Sequence, residues 1–415
     1  MLNLPMQGFV GRAGHAVVLL LALGRCAVAQ QPPADIKRVA AVVTEYRTNA
    51  HADVIVSRLL QTQTLDGKGR RPGLKLASLF TDQVPANDIS RALSREFQFP
   101  IFENVADALT LKTGQLAVDG VLLVAEHGRY PVSKTGQIEY PKRRLFEQVV
   151  RVFRDSRRVA PVFIDKHLAD NWQDAEWVYN TARELHVPLM AGSSLPVLWR
   201  DPPVDVRRND RLKQITAVSY GPLDAYGFHA LEMVQCLAER RAGGETGVLA
   251  VQCLVNQAVW TAGDEGVYDR ELLDAALRRI PPVTRADLPA QAREPVLWVI
   301  DYTDGLRANL LTLNGAVSQW AVAWRSADDA VASTRFATQE KRPFMHFAGL
   351  VEGIDQMMHS GHPTWPVERT LLTSGVLDAL LQSKLQGGRR LDTPWLRVAY
   401  QSEWNWKQPP PPPAD

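Results

Sequence analysis

Short apolar segments alternate with amphipathic segments over residues 36–200 of this 415-residue chain. The apolar segments are nearly continuous runs of hydrophobic residues, which is typical of strands that are buried on both faces of a parallel sheet. The pattern therefore predicts a Rossmann-like, doubly wound α/β domain. The predicted strands are VAAVV at 39–43, LKLASLF at 74–80, VDGVLLVA at 118–125, APVFID at 160–165 and VPLMAG at 187–192, and the predicted helices are 52–60, 88–96, 145–153 and 174–185.

Residues 201–402 have a different pattern and predict a second, α+β domain with an open, largely antiparallel sheet. The later strand-like segments follow one another closely, with Asp304-Gly305 and Asn314-Gly315 as turn signals, so we expect them to pair antiparallel. The predicted strands are 212–220, 247–255, 295–303, 307–313 and 317–324. The predicted helices, which we expect to cover one face of this sheet, are 228–240, 270–279, 347–358 and 370–383. Residues 403–415 end in a proline run, which predicts an extended, unfolded tail.

The first 29 residues have the layout of a cleavable signal peptide. Arg12 precedes an apolar run at 16–23, and Ala27-Val28-Ala29 has the small-x-small pattern of a cleavage site. The apolar run is too short to span a bilayer, so we expect export to the periplasm or cell surface without a stable membrane anchor.

The charge balance excludes some partners. The leader carries Arg12 and Arg25 and no acidic residue, so its removal cancels the formal charge of +2, and nothing in the mature chain favours nucleic acid. Cys236 and Cys253 then remain. Their surroundings predict a helix and a strand, which favours two buried free thiols, with a single disulfide bridge as the alternative.

Residues 38–52, RVAAVVTEYRTNAHA, have the layout of a first strand, turn and helix start in a dinucleotide-binding domain. The glycine positions of the G-x-G-x-x-G turn are occupied by Val43, Glu45 and Thr48. Side chains there obstruct the tight turn, and Glu45 places a negative charge where a diphosphate would lie. Two interpretations remain. In the first, Arg47 and the helix start still bind an anion. In the second, which requires fewer assumptions, the turn seals the crevice in which the cofactor would lie.

Three further segments carry a resemblance to a known family together with 38–52. They are PVFIDKHLA at 161–169, GPLDAYGFHALE at 221–232 and WPVERTLLTSGVLDALLQSKLQGG at 365–388. From Arg38 to about Tyr400 the chain resembles the glucose-fructose oxidoreductase and inositol dehydrogenase superfamily, Gfo/Idh/MocA. The resemblance implies NAD or NADP as cofactor, a sugar or polyol bound between the two domains, and a homo-oligomer formed through the open sheet.

The resemblance also implies catalytic residues. Lys166 matches the family's lysine at the end of a buried strand, where a lowered pKa would suit acid or base catalysis. His229 matches the histidine that accepts a proton from a substrate hydroxyl. The aspartate that usually lies four residues earlier is replaced by Ala225, so Asp224 or Tyr226 would assist His229.

The remaining candidates lie at strand ends. Asp82 is placed to bind an adenosine ribose, and Glu126 and His127 open a long polar loop at 126–144, which we interpret as a lid or pocket wall near the cofactor. Together with Glu45, Arg47 and Thr48, these residues form the predicted cofactor site.

A divalent metal site is a weaker possibility. Glu126, His127, His167 and His229 have the right ligand types but no close ligand spacing. The sequence thus predicts first an exported oxidoreductase-like protein acting on a sugar, polyol or related carbohydrate by NAD(P)-linked hydride transfer. The alternatives are a metal-assisted or cofactor-free carbohydrate lyase, isomerase or hydrolase, and a carbohydrate-binding protein without activity.

Overall fold

The computed structural model describes residues 35–411, so the predicted signal peptide lies outside the described residues. The first sheet has six parallel strands in the order β3-β2-β1-β4-β5-β6. The strands are β1 (Lys37–Val43), β2 (Leu74–Thr81), β3 (Ile101–Phe102), β4 (Gly120–Val124), β5 (Val162–Asp165) and β6 (Leu189–Gly192). This is the strand order of a Rossmann domain, so the predicted doubly wound class is confirmed. The short β3 was not predicted.

Helices cover both faces of this sheet. They are α1 (His51–Leu60), α2 (Ser90–Phe97), α3 (Val105–Thr110), α4 (Lys142–Ser156) and α5 (Trp172–Glu184). Alternate residues of β1 enter different cores, with Val39 and Ala41 on one face and Ala40 and Val42 on the other. Burial on both faces explains why the strand is hydrophobic at every position.

The second sheet has eight strands in the order β14-β9-β10-β11-β8-β12-β13-β7. They are β7 (Trp199–Asp201), β8 (Leu212–Ser219), β9 (Val248–Val255), β10 (Val296–Tyr302), β11 (Arg307–Thr312), β12 (Trp320–Ser326), β13 (Val331–Ala337) and β14 (Leu391–Asp392). All neighbours are antiparallel except β11 and β8, which are parallel. The expectation that β11 and β12 pair with each other is wrong, because β8 lies between them.

Helices from one inserted segment cover one face of the second sheet. The segment forms α7 (Gln257–Asp264), α8 (Arg270–Leu277) and α9 (Leu288–Gln291). Leu272 and Leu277 of α8 share a core with Leu297 of β10 and Ala321 of β12. The sheet does not close into a barrel, because β14 and β7 lie at opposite ends of the strand order.

The last helices connect the two domains. They follow α6 (Ala225–Ala238) and are α10 (His346–Ser360) and α11 (Val367–Leu385). Phe347, Leu350 and Met357 of α10 share a core with Ile55 of α1, so this helix returns to the first domain. We expected 347–358 to cover the second sheet, and that placement is wrong. The other connecting helix, α11, packs against α5, α6 and β9.

The C-terminal segment is extended but not free. Trp406 donates its indole N–H to the carbonyl of Leu198 at 2.7 Å, and Gln408 exchanges two hydrogen bonds with the backbone of Arg200 at 3.0 and 3.2 Å. The prediction of an unfolded tail is therefore wrong for residues 403–411. Indole rings and amides attach this segment to the fold, and the proline run alone did not indicate this.

Cys236 and Cys253 are both buried and free, which confirms the preferred interpretation of the two thiols. Across residues 35–411, every helix is either too short or too polar to cross a bilayer.

Candidate active site

The carboxyl ends of neighbouring parallel strands bring the charged groups of the candidate site together. β1, β4 and β5 are adjacent in the sheet, and ligands of such sheets bind beyond this edge. Glu126 follows β4, Lys166 follows β5, and His51 opens the helix after β1. Lys166 Nζ lies 3.2 Å from Glu126 Oε2, so two of the predicted residues meet although they are distant in the sequence.

A second lysine, which the sequence analysis missed, contacts the same carboxylate. Lys142 is the first residue of α4 and is fully buried. Its Nζ donates to Glu126 Oε1 at 2.6 Å and to the carbonyls of Asp165 and His167 at 2.9 and 3.0 Å. We refer to Glu126, Lys142 and Lys166 as the carboxylate–lysine cluster.

The cluster fixes the charge of its members. Burial alone would raise the pKa of Glu126, but the ammonium groups of Lys142 and Lys166 hold that pKa well below its usual range. Burial likewise disfavours the Lys166 ammonium, yet the Glu126 and Asp165 carboxylates outweigh it and raise the pKa of Lys166. The expected lowered pKa of Lys166 is therefore wrong, and this side chain is a permanent cation rather than a base near neutral pH.

The backbone holds Lys166 in an uncommon conformation. Its φ is +60°, in the left-handed region, and its N–H donates to the carbonyl of Gly192 at 3.1 Å. Gly192 has φ +123°, and a Cβ there would lie 2.7 Å from a carboxylate oxygen of Glu232. Glu232 accepts from the Ser193 N–H at 2.6 Å and from the Thr370 hydroxyl at 2.9 Å. Burial raises the pKa of Glu232 to about 7.

A histidine and an aspartate form a hydrogen-bonded pair beside the cluster. His51 Nδ1 lies 2.6 Å from Asp165 Oδ2, and the His51 ring is partly exposed. With Nδ1–H bonded to the carboxylate, Nε2 is the basic nitrogen of the ring. His51 lies in the segment 38–52 that carries the family resemblance, and the sequence predicted no role for it.

His229 faces this pair from the second domain. Its ring is nearly parallel to that of His51, with centroids 6.5 Å apart, and His127 lies 5.4 Å from His51 on another side. Burial, with the nearby Lys166 cation and His51, lowers the pKa of His229 well below its usual value, so the imidazole is neutral. All three histidines are partly exposed, and we call the region among them the histidine cleft.

Aromatic side chains line the second-domain wall of the histidine cleft. Tyr226 stacks on Trp320 with ring centroids 5.6 Å apart and contacts both Tyr220 and His229 edge-on. Asp224 accepts from the Ile138 N–H at 3.1 Å, and burial raises its pKa. Of the two predicted partners of His229, Tyr226 contacts its ring. Asp224 instead binds the backbone of the neighbouring loop.

That loop, which we call the β4–α4 loop, covers residues 125–141 and crosses the sheet edge. The Tyr130 hydroxyl donates to Asp82 Oδ2 at 2.8 Å, and Arg144 of α4 binds the same oxygen at 2.7 Å. Gln83 exchanges two hydrogen bonds of 3.0 Å with the backbone of Arg129. Asp82, which we predicted to bind a ribose, therefore binds side chains of the same protein instead.

The turn after β1 is also closed. Tyr46 is fully buried, with its hydroxyl 2.8 Å from Ser57 Oγ, and Glu45 is buried and pairs with Arg47 at 3.0 Å. At the start of α1, the N–H of Asn49 donates to a buried aspartate, Asp53, at 2.9 Å. The helix start that would face a diphosphate thus has two carboxylates beside it, while Thr48 is exposed.

The residues considered for a metal do not form a metal site. Among residues 35–411, no cluster of His, Cys, Asp and Glu has a geometry that could hold an ion. The carboxylate of Glu126 is bound by two ammonium groups, and His167 lies against Lys142, with Nδ1 at 3.2 Å from its Nζ. These cations occupy the positions that a metal would need.

Solved structures with this arrangement of two domains are sugar-type and inositol dehydrogenases. GenD2 from gentamicin A biosynthesis, solved with NAD, is 14% identical and covers 93% of this chain and 99% of its own, with a TM-score of 0.55. Apo scyllo-inositol dehydrogenase from Lactobacillus casei is 12% identical, with 86% and 98% covered and a TM-score of 0.53. Myo-inositol 2-dehydrogenase from Lactobacillus plantarum is 11% identical, with 86% and 99% covered and a TM-score of 0.53.

No protein-family model and no curated protein matches the chain. The structural likeness, at identities this low, establishes the fold: this is the Gfo/Idh/MocA fold, in which NAD-binding sugar and inositol dehydrogenases are built.

The residues at the nucleotide position of this fold do not fit a dinucleotide. A diphosphate requires free backbone N–H groups and close approach of glycines at the helix start. Here Glu45 is paired with Arg47 and Asp53 with Arg342, Tyr46 fills the turn, and Asp82 is bound to Tyr130, so the chain's own side chains occupy that position. Of the six predicted cofactor residues, Glu126 and His127 lie at the cleft instead, whereas Glu45, Arg47, Thr48 and Asp82 belong to the closed edge.

Replacing Lys142 with Met tests whether the buried cluster stabilises the fold. The variant leaves Glu126 with one ammonium partner in a buried place, which costs about 3 kcal/mol of unfolding free energy. The matched control is Lys213→Met, which breaks an exposed pair with Asp329 and should cost less than about 0.5 kcal/mol. Denaturant unfolding gives both values, and equal stabilities of the two variants would contradict the assignment.

The buried carboxyl of Glu232 should make stability depend on pH. Its pKa is raised from 4.5 to about 7 on folding, so the folded state binds this proton more tightly than the unfolded state. The contribution is full below the unfolded pKa and is lost as pH rises through about 7, by up to about 3 kcal/mol. Unfolding of wild type and Glu232→Gln at pH 5 and pH 8 should show a smaller decrease in the variant, and parallel decreases would refute the shift.

Proposed function

We propose that this protein is an enzyme that moves protons on a sugar or related carbohydrate with a carbonyl group in the histidine cleft, without a dinucleotide. The observation that carries the proposal is the hydrogen-bonded pair of His51 and Asp165. The His51 ring centroid lies 6.5 Å from that of the neutral His229, and the Lys166 cation lies beside them. A base, a second proton carrier and a fixed positive charge are the groups that isomerisation next to a carbonyl requires.

Each group has a defined step. His51 Nε2 accepts a proton from the substrate carbon next to a carbonyl, and the electron pair of that C–H bond moves onto the carbonyl oxygen. The Lys166 ammonium, fixed by Glu126 and by its own strained backbone, stabilises the negative oxygen. A proton then returns from His51 or through His229, so that no oxidant or reductant is consumed.

The substrate class is supported by the cleft wall and by the fold. Tyr226 is partly exposed beside the histidines and packs on the buried Trp320, and an aromatic face of this kind packs on the C–H faces of sugar rings. Another structure of the same fold contains scyllo-inositol and NAD(H), at 10% identity and a TM-score of 0.52. A polyol therefore binds in at least one protein with this architecture.

NAD(P)-linked oxidation of the same substrate class is the second candidate, and the fold favours it. The closed turn at Glu45, Tyr46 and Asp53 opposes it, so we assign no step to a nicotinamide. Export also remains a proposal, which rests on the leader pattern of residues 1–29 alone.

Hydrogen exchange tests the proposal directly. The purified mature protein is incubated in D2O with single aldoses, ketoses, uronic acids and polyols, without nucleotide, and the products are analysed by NMR and mass spectrometry. We expect deuterium at a carbon next to the carbonyl of at least one sugar. His51→Gln and Lys166→Met should each slow exchange at least about 100-fold, and the exposed His362→Gln should not.

The second candidate gives the opposite pattern. If turnover requires NAD+ or NADP+, or if His51→Gln exchanges deuterium as fast as wild type, the proposal of cofactor-free proton transfer is wrong. Calorimetric titration with both nucleotides supplies an independent measurement, for which we expect no binding at millimolar concentration.

A further inference from the structure

Three adjoining cavities form a continuous groove on the outer side of the β4–α4 loop. Their volumes are about 590, 270 and 570 Å³, and Asn171 at the start of α5 lines all three. The first and second cavities also share Asp378 and Gln382 of α11, and the second and third share Glu139 and Asp170. We call this surface the outer groove.

An exposed indole lies at one end of the outer groove. Trp395 is 46% exposed, more than any other tryptophan in residues 35–411, and it lines the first cavity. The same cavity is lined by the amides Gln173, Gln382 and Gln386. A flat aromatic face beside neutral amides suits a ligand that presents both C–H faces and hydroxyl groups.

The middle of the outer groove has a buried donor without a partner. Gln137 is 2% exposed, lines the second cavity, and its amide Nε2 makes no hydrogen bond, although its Oε1 accepts from Thr135 at 3.2 Å. Leaving a buried amide N–H unpaired is costly, so an acceptor on a bound ligand accounts for it.

The outer groove is separated from the histidine cleft only by the β4–α4 loop. Ile138 donates its N–H to Asp224 at the cleft, whereas its neighbours Gln137 and Glu139 line the groove. Tyr140 and Pro141, at the end of the same loop, line the third cavity. The β4–α4 loop therefore borders the outer groove and also binds Asp224 at the start of α6.

We propose that the outer groove binds an oligosaccharide, as the extension of the sugar that reacts in the histidine cleft. This inference rests on the proposed function for the identity of the reacting unit. The groove mixes charges of both signs, with Arg143 and Arg144 opposite Asp170 and Asp174, so it lacks the basic stripe that nucleic acid needs.

Binding of defined hexasaccharides tests this inference. Cellohexaose, maltohexaose and chitohexaose are titrated into the mature protein by calorimetry, each beside its monosaccharide. We expect one hexasaccharide to bind at least about tenfold more tightly than its monosaccharide. Trp395→Ala should weaken that binding about tenfold, because stacking on the indole is lost. The control is Leu385→Ala, on the same helix as Gln382 but outside the groove lining, with an exposed side chain.

Gln137→Met separates ligand binding from folding. The substitution keeps the volume and removes a donor that has no partner together with one long hydrogen bond of 3.2 Å from Thr135, so the melting temperature should change little while hexasaccharide affinity falls. If no hexasaccharide binds more tightly than its monosaccharide, or if Trp395→Ala and Gln137→Met bind as wild type does, the inference is overturned.

Failure of the two proposals can be distinguished. Deuterium exchange into a monosaccharide should be unchanged in Trp395→Ala, since the cleft is intact. Exchange without a role for the groove would reject this inference and leave the proposed function in place. Hexasaccharide binding that depends on Trp395 and Gln137, in a protein that catalyses no exchange, would support the groove and reject the proposed chemistry.

Discussion

The carboxylate of Glu126, held between the ammonium groups of Lys142 and Lys166, is the interaction on which the rest of the site depends. A buried carboxylate is tolerated only with compensating charge, and here two lysines from different elements supply it at 2.6 and 3.2 Å. Lys142 ties α4 to the ends of β4 and β5, and Lys166 remains a cation that faces the cleft. The same cation and burial keep His229 neutral. One carboxylate thereby determines the charge of the groups around it.

The candidate site lies beside the nucleotide position of the fold, at the same edge of the sheet. Where a diphosphate would lie there are Glu45, Asp53 and the buried Tyr46, and the β4–α4 loop binds Asp82 through Tyr130. The groups that could perform chemistry lie instead at the ends of β4 and β5, against the second domain. The architecture of dehydrogenases is thus retained while the surface that would bind a dinucleotide is closed. Proton transfer is the chemistry that the remaining groups support.

The sequence predicted most of the first domain because strands buried on both faces have a local signature. It also placed Lys166, His229, Glu126 and His127 near one another, through strand ends and family resemblance. It could not identify Lys142, which begins α4 within the basic run PKRR and looks like an exposed helix start. The insertion of β8 between β11 and β12 depends on long-range pairing, which closely spaced turns do not reveal. The pKa of Lys166 is likewise raised by Glu126, which lies forty residues earlier in the sequence, against the opposing effect of burial. No local sequence pattern shows either influence.

Nitrogen-15 NMR of the mature protein, labelled selectively at lysine and histidine, tests the account most directly. We predict that the pKa of Lys166 lies above that of a free lysine, and that the neutral tautomer of His51 carries its proton on Nδ1 toward Asp165. A Lys166 amine that titrates near neutral pH, or a His51 proton on Nε2, would contradict the assignment of cation and base.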